Sequence, residues 1–140
     1  MIGEGHNFVK TMMMLSNRVA DPGDTLDGVT VVDDQYGRLT FTKDMADAIF
    51  HLLDSKAVRT YNLTGSGSVE SWADIAKAVF DQTNGNGDRV RPIPTEEYFA
   101  NAKDPVSPRP THSALNLGKI EGTGYHAPDW EESLKAYIAK

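Results

Sequence analysis

Cysteine is absent from this 140-residue chain. Its absence removes disulfide frameworks, thiolate metal sites and cysteine nucleophiles together. Basic residues are also scarce: 14 Lys and Arg stand against 20 Asp and Glu, for a net charge of −6. With no basic field to neutralise phosphates, general nucleic-acid binding is excluded, although a local basic pocket could still hold a small anion. No apolar run approaches the ~20 residues of a membrane-spanning helix. The start, Met1-Ile2-Gly3-Glu4-Gly5, lacks the basic and apolar regions of a signal peptide. The expected compartment is therefore the cytoplasm, with no membrane partner. What remains is ordinary globular composition, 39% hydrophobic and 24% charged, suited to one domain or a piece of a larger one.

Several catalytic patterns are missing as well. The glycine pairs Gly3/Gly5, Gly65/Gly67 and Gly85/Gly87 begin a dinucleotide fingerprint, but Phe8, Glu70 and Val90 stand where its third glycine would be. None stands in the strand-to-helix turn at the start of a βαβ unit with a following acid, so all three read as turns and no cofactor site is expected here. A Tyr-x-x-x-Lys pair, which would set an ammonium one helical turn from a phenol and lower its pKa, fails at Tyr36, Tyr61, Tyr98, Tyr125 and Tyr137. His6, His51, His112 and His126 show no metal-ligand spacing. Asp33 and Asp34, being adjacent, would point to opposite faces of a strand rather than to one cation. No catalytic residue and no metal ligand is expected.

The residues present predict an α/β chain of about three short strands and five or six helices. Phe8, Met12, Leu15 and Val19 share one helical face, with Asn7 or His6 as cap, and Met12-Met13-Met14 reads as core packing. Val29 to Val32 is a β-branched strand. A helix from about Lys43 to Asp54 turns Met45, Ala48, Ile49, Leu52 and Leu53 inward, with Thr42 as its N-cap. Thr60 to Thr64 alternates and reads as a second strand. Ser71, with Asp74 three residues on, opens a helix whose buried stripe is Trp72, Ile75, Ala76, Val79 and Phe80. Val90 to Ile93 is a third strand, and Pro92 assigns it to an edge. Thr95 to Tyr98 makes a helical turn, and residues 101–115 form the longest irregular stretch. Asn116 caps a short helix ending at Gly122. The last helix opens at Pro128-Asp129-Trp130 and turns Trp130, Leu134, Tyr137 and Ile138 to one side.

Two places could bind a ligand. The helix opened by Gly3-Glu4-Gly5-His6-Asn7 offers free N–H groups to an anion and carries Lys10. The strand Val29–Val32 runs into a polar turn, where α/β proteins tend to seat ligands; Gln35 there is an amide reader. Arg38, Lys43, Lys103 and Arg109 supply charge. Arg109 lies between Pro108 and Pro110, which would pre-aim a guanidinium able to pair two phosphate oxygens.

Taken together, Gly5-His6-Asn7-Phe8-Val9-Lys10-Thr11-Met12, Val31-Val32-Asp33-Asp34-Gln35-Tyr36-Gly37 with Thr40 and Asp44-Met45-Ala46, Leu63-Thr64-Gly65, Ser71-Trp72 and Arg109-Pro110 with Ser113-Ala114-Leu115 resemble the C-terminal, substrate-binding part of dTDP-4-dehydrorhamnose reductases. These are extended short-chain dehydrogenase/reductases with a Rossmann-type fold. The resemblance runs from about Gly3 to Ile138; Leu39 departs from it, standing where the family usually has proline. It implies that residues 1–140 are a single substrate-binding portion, that Met1 stands in for an internal residue, and that the NAD(P)-binding Rossmann portion lies upstream. In the family a hydride passes from NADPH or NADH to the C4 ketone of a dTDP-linked sugar. By that resemblance Asn7, Phe8 and Lys10 would meet the nucleotide diphosphate, Gln35 would stand near the sugar or base, and Arg109 would grip phosphate. The chain alone would bind no cofactor and lack reductase activity, and a homodimer is open to it. Another NAD-dependent nucleotide-sugar epimerase or dehydratase, or a non-enzymatic interaction module, remains as an alternative.

Overall fold

The computed structural model describes residues 1–100, 102 and 106–140. In chain order the helices are α1 (Phe8–Ala20), α2 (Thr42–Asp54), α3 (Trp72–Asn84), α4 (Thr95–Tyr98), α5 (Gly118–Glu121) and α6 (Trp130–Ile138). The strands are β1 (Val29–Val32), β2 (Tyr36–Gly37), β3 (Glu70–Ser71) and β4 (Val90–Ile93). The chain divides into two compact units. One comprises Met1–Asn7, Arg38–Val69 and Ala114–Lys140; the other comprises Phe8–Gly37 and Glu70–Ser113.

The second of these is built on a parallel pair, β1 with β4, in the register Val29↔Val90 through Val32↔Ile93. Pro92 faces Val31 in that ladder, tolerable because among the described residues no further strand lies beyond β4 to receive an N–H. Helix α3 packs against both α1 and the strands, burying Ala73, Ile75, Ala76, Val79 and Phe80. Its start is the expected capping box: Ser71 Oγ accepts from the Asp74 N–H at 3.1 Å and donates to the Asp74 carboxylate at 2.6 Å. That hydroxyl is the main reason the Asp74 carboxyl sits below the usual range. Gly85 ends the helix in the left-handed region at φ 67°, where a Cβ would be strained. Trp72 is only half-buried, because the first turn of α3 lies at the rim of a cleft.

Helix α1 departs from expectation. Its buried residues are Val9, Met12 and Ser16, while Phe8, Leu15 and Val19 are half-buried. The inward face is rotated because it centres on a serine. Ser16 Oγ donates to Asn86 Oδ1 at 2.7 Å and accepts from Asn84 Nδ2 at 3.0 Å, and Asn86 Nδ2 donates to the Ser16 carbonyl at 3.1 Å. A satisfied polar side chain can occupy a core position that hydrophobic periodicity assigns elsewhere. Core packing by the methionine triplet falls to Met12, since Met14 is 54% exposed.

After α1 the chain turns at Asp24, whose carboxylate takes Arg18 Nε at 2.7 Å and Nη2 at 3.2 Å, plus the Leu26 N–H at 3.0 Å. The hydrogen bond from Arg18, followed by that from Leu26, lowers this carboxyl to about 2. A carboxyl depressed by folding stabilises the protein above its unfolded value of about 3.9 and ceases to do so as pH falls through the folded value. The urea midpoint of Asp24→Asn should therefore fall less steeply than that of the parent between about pH 4 and pH 2. Parallel acid limbs for the two proteins would refute this.

The other unit packs Ala48, Leu117, Ile120 and Ala127 with Leu52, Tyr61, Leu63 and Tyr125 around them. Trp130 and Leu134 of α6 are buried, and Asp129 caps that helix by accepting from the Glu131 N–H at 2.8 Å. Ile2 is tied in by two backbone bonds of 2.8 Å, to the Thr40 carbonyl and from the Thr42 N–H.

Residues 60–64 form no regular element, not the second strand expected. The alternation behind that expectation survives in part as burial: Tyr61 and Leu63 are half-buried and Asn62 is exposed, but Thr64 is buried. What meets the segment's first residues is helical. Lys119 Nζ donates to the Thr60 carbonyl at 2.6 Å and stands 5.2 Å from the Tyr61 ring centre. The pairing instead goes to β2 and β3, antiparallel through Tyr36↔Ser71 and Gly37↔Glu70, strands too short to leave a periodic signal.

Helix α2 corrects two further expectations. Phe41, not Thr42, is the N-cap, with no side-chain bond. The buried positions are Asp44 and Ala48, whereas Ile49, Phe50 and Leu53 are 50%, 70% and 69% exposed. Asp44 reaches inward because Ser133 Oγ donates to its carboxylate at 2.8 Å, at a helix start where negative charge is favoured. Burial, followed by the charges of Asp44 and Asp47, raises the Tyr125 phenol, which donates to the Asp44 carbonyl at 2.9 Å. No described helix is long and apolar enough to cross a membrane.

Candidate ligand cleft

The unit that contains the parallel strands opens a cleft of about 310 Å³ beside β1. Thr30, Val31 and Val32 form its floor, Met12 and Phe8 of α1 one wall, and Tyr98 and Phe99 another; Trp72, Gln35 and Arg109 complete it. Phe8 and Trp72 meet edge to face, with ring centres 4.9 Å apart and planes at 67°. Tyr98 and Phe99 do likewise, at 4.9 Å and 77°. Such pairs hold their rings in defined orientations, and between them they offer apolar faces to a flat guest.

The polar side of the cleft begins where β1 ends. The Asp33 N–H still bonds the Ile93 carbonyl at 3.0 Å. Asp34 then caps α4, accepting from the Thr95 N–H at 3.0 Å and from Thr95 Oγ1. These two bonds, hydroxyl first, hold its carboxyl below the usual range. Gln35 Nε2 donates to Thr95 Oγ1 at 2.8 Å, and the Gln35 carbonyl receives the Trp72 N–H at 3.1 Å. Reader and aromatic wall are thus fixed to each other through the backbone.

Arg109 lies on an exposed segment that is anchored just beyond it. The Tyr36 N–H donates to the Thr111 carbonyl at 2.7 Å, and the Ser113 N–H to the Tyr36 carbonyl at 2.9 Å. The His112 ring stacks on Tyr36 at 5.1 Å and 15°. Residues 111–113 are therefore paired with β2, inside a stretch expected to be irregular. Arg109 makes no ion pair or hydrogen bond with another described residue. Among the described residues, the titratable side chains lining the cleft are Tyr98 and Arg109.

Of the site residues expected from sequence, the cleft brings together Phe8, Gln35 and Arg109. Lys10 is on another face of α1, lining an open groove with Met13, Met14, Asn17, Arg18 and Asp21. Asn7 belongs to the other unit, where its Nδ2 donates to the Gly3 carbonyl at 2.9 Å and to the Tyr137 hydroxyl at 3.0 Å. In that unit too, Arg38 donates to the Gly67 carbonyl at 2.9 Å and Lys43 pairs with Asp47 at 2.8 Å. Lys103 lies outside the described residues. Sequence reasoning missed Trp72, Tyr98, Phe99 and the part played by Thr95. Trp72 reads as core from its helical spacing, and the one available signal was the adjacent pair Tyr98-Phe99 directly after a strand and a helical turn.

Among the described residues, an α/β arrangement of helices and short strands carries an aromatic cleft that a guanidinium also lines, the layout of a ligand-binding portion. Comparison with known proteins makes this specific: the family model for the RmlD substrate binding domain matches residues 2–140, and the chain belongs to that family. The spore coat polysaccharide biosynthesis protein SpsK of Bacillus subtilis is 34% identical, the match covering 96% of this chain and 42% of SpsK. The crystal structure of a dTDP-4-dehydrorhamnose reductase from Clostridium acetobutylicum superposes with a TM-score of 0.82 at 36% identity, covering 99% of this chain and 45% of that one. The Bacillus anthracis dTDP-4-dehydrorhamnose reductase, solved in complex with NADP, gives 0.78 at 29% identity, over 98% of this chain and 44% of that one. The fold is therefore that of the short-chain-dehydrogenase-like reductases, and the chain spans less than half the length of these relatives.

Proposed function

We propose that these residues are the nucleotide-sugar-binding portion of a dTDP-4-dehydrorhamnose reductase, one that reduces the C4 ketone of a dTDP-linked 4-dehydro sugar and so supplies dTDP-L-rhamnose for surface polysaccharide in the cytoplasm. The observation that carries this reading is the convergence of the Phe8–Trp72 pair, Gln35 and Arg109 on one cleft. Aromatic faces accept a pyrimidine, the amide reads its edge, and the guanidinium takes a diphosphate. Phe8, Gln35 and Arg109 are the ligand contacts in this proposal; Asn7 holds the lead-in to α1, and Lys10 adds positive charge from the neighbouring groove.

In this proposal the glycine pairs are turns and not the pyrophosphate site of a nicotinamide cofactor. A carboxylate crowds two of the three glycine pairs: Asp129 lies against Gly67 and Asp81 against Gly87, each where a side chain would begin. Negative charge there repels a pyrophosphate. The reduction accordingly belongs to a portion of the enzyme bearing its own cofactor site, and no step of it is assigned to these residues.

Calorimetric titration of the 140-residue chain tests the proposal. dTDP should bind, and more tightly than UDP or GDP, while NADPH and a dTDP-4-dehydro sugar together should give no oxidation above background. Absence of heat with dTDP at millimolar concentration, preference for UDP or GDP, or turnover of NADPH would each overturn it.

A further inference from the structure

The hydrogen-bond chain beside the cleft runs in one direction only. The Asp34 carboxylate can only accept, so the single hydroxyl proton of Thr95 is committed to it. What Thr95 Oγ1 has left to offer is a lone pair, and it takes the N–H of Gln35 Nε2 at 2.8 Å. Were the Gln35 amide turned over, its carbonyl oxygen would meet an oxygen with no proton to give. The amide therefore has one stable orientation, with its carbonyl and its second N–H left for a guest. Thr95 is itself fixed, because its backbone N–H also goes to Asp34. Trp72 holds the Gln35 backbone from the other side at 3.1 Å.

We propose that Thr95 and Asp34 are positioning residues for base selectivity: they lock the Gln35 amide so that it reads the imide edge of thymine or uracil and rejects cytosine. This rests on the nucleotide reading above. An imide edge presents an N–H beside a carbonyl; cytosine presents a ring nitrogen acceptor beside an amino donor, the reverse pattern. A locked amide matches only one of these. An amide free to turn over matches both.

The test compares dTDP, dUDP and dCDP by calorimetry on the 140-residue chain and on Thr95→Val and Thr95→Ser. Thr95→Val keeps the backbone bond to Asp34 and loses the hydroxyl. The parent should bind dTDP and dUDP about 10- to 100-fold more tightly than dCDP, the discrimination expected of a bidentate reader. In Thr95→Val this ratio should collapse toward unity, and in Thr95→Ser it should return. A merely structural role for Thr95 would weaken all three ligands alike. Should Thr95→Val fail to fold, by circular dichroism, Gln35→Leu takes its place, with the same collapse expected. An unchanged ratio in the variant, or no preference in the parent, overturns this proposal while leaving dTDP binding intact. Binding of none of the three by the parent overturns the nucleotide reading, and this one with it.

Discussion

Replacing Trp130 by alanine should lower the unfolding free energy by about 3–5 kcal/mol, as for other buried tryptophans. The side chain is 2% exposed, and its indole N–H donates to the Ser68 carbonyl at 3.0 Å. The backbone around it is equally committed: its N–H bonds the Ser66 carbonyl at 3.1 Å, and Ser66 in turn bonds Pro128 at 2.9 Å. Gly65 approaches so closely that a Cβ there would lie 2.8 Å from the Trp130 Cβ and 2.8 Å from the Leu39 carbonyl. Truncation would thus leave a large cavity walled by backbone, which cannot collapse to fill it, and a carbonyl without its donor. Urea unfolding followed by circular dichroism measures the loss. Trp130→Phe should recover most of it, because it refills the cavity and forgoes only the hydrogen bond. A loss below about 1 kcal/mol for alanine would mean that the indole is not the keystone described.

Arg109→Ala should weaken dTDP binding about tenfold to a hundredfold, the equivalent of about 1.5–3 kcal/mol for hydrogen bonds to a charged group. Arg109 is exposed, so the effect should be largest at low salt and shrink as ionic strength rises. Arg109→Lys should recover only part of the affinity, since an ammonium keeps the charge but not the two-pronged geometry. Thymidine, which has no phosphate, provides the internal check: its affinity should not change. Equal loss for thymidine and dTDP would assign Arg109 to holding the cleft together instead of gripping phosphate.

Elements with their own local signals were legible in the sequence. Strand β1 is a β-branched run, β4 is bounded by Val90 and Ile93 with Pro92 marking an edge, and α3 carries Ser71 at one end and Gly85 at the other. These are properties of a few neighbouring residues. What could not be read depended on residues far away. The buried face of α1 is set by Asn84 and Asn86, some seventy positions on, which make Ser16 a core residue. Asp44 lies inward only because Ser133 waits for it. Thr60 to Thr64 has the right period for a strand, but Lys119 rather than another strand meets its backbone. For the cleft, a lone arginine between prolines and a glutamine after a strand were visible as chemistry. The aromatic walls were hidden because Trp72 also satisfies the periodicity of a helix core, and the role of Thr95 was hidden because it begins a helix of only four residues.

The division into two units has a consequence for synthesis on the ribosome. The chain passes from one unit to the other four times, at Asn7, Gly37, Val69 and Ser113, so neither is a contiguous stretch of message. The unit with the parallel strands cannot close until β4 has left the exit tunnel. Its neighbour waits longer still, for Ala114–Lys140. Until then the nascent polypeptide carries β1 without β4, and α2 with no α6 to cover Asp44. Vectorial growth therefore defers closure of both units until these late segments have emerged, and the exposed apolar surface meanwhile is the kind that holding chaperones cover.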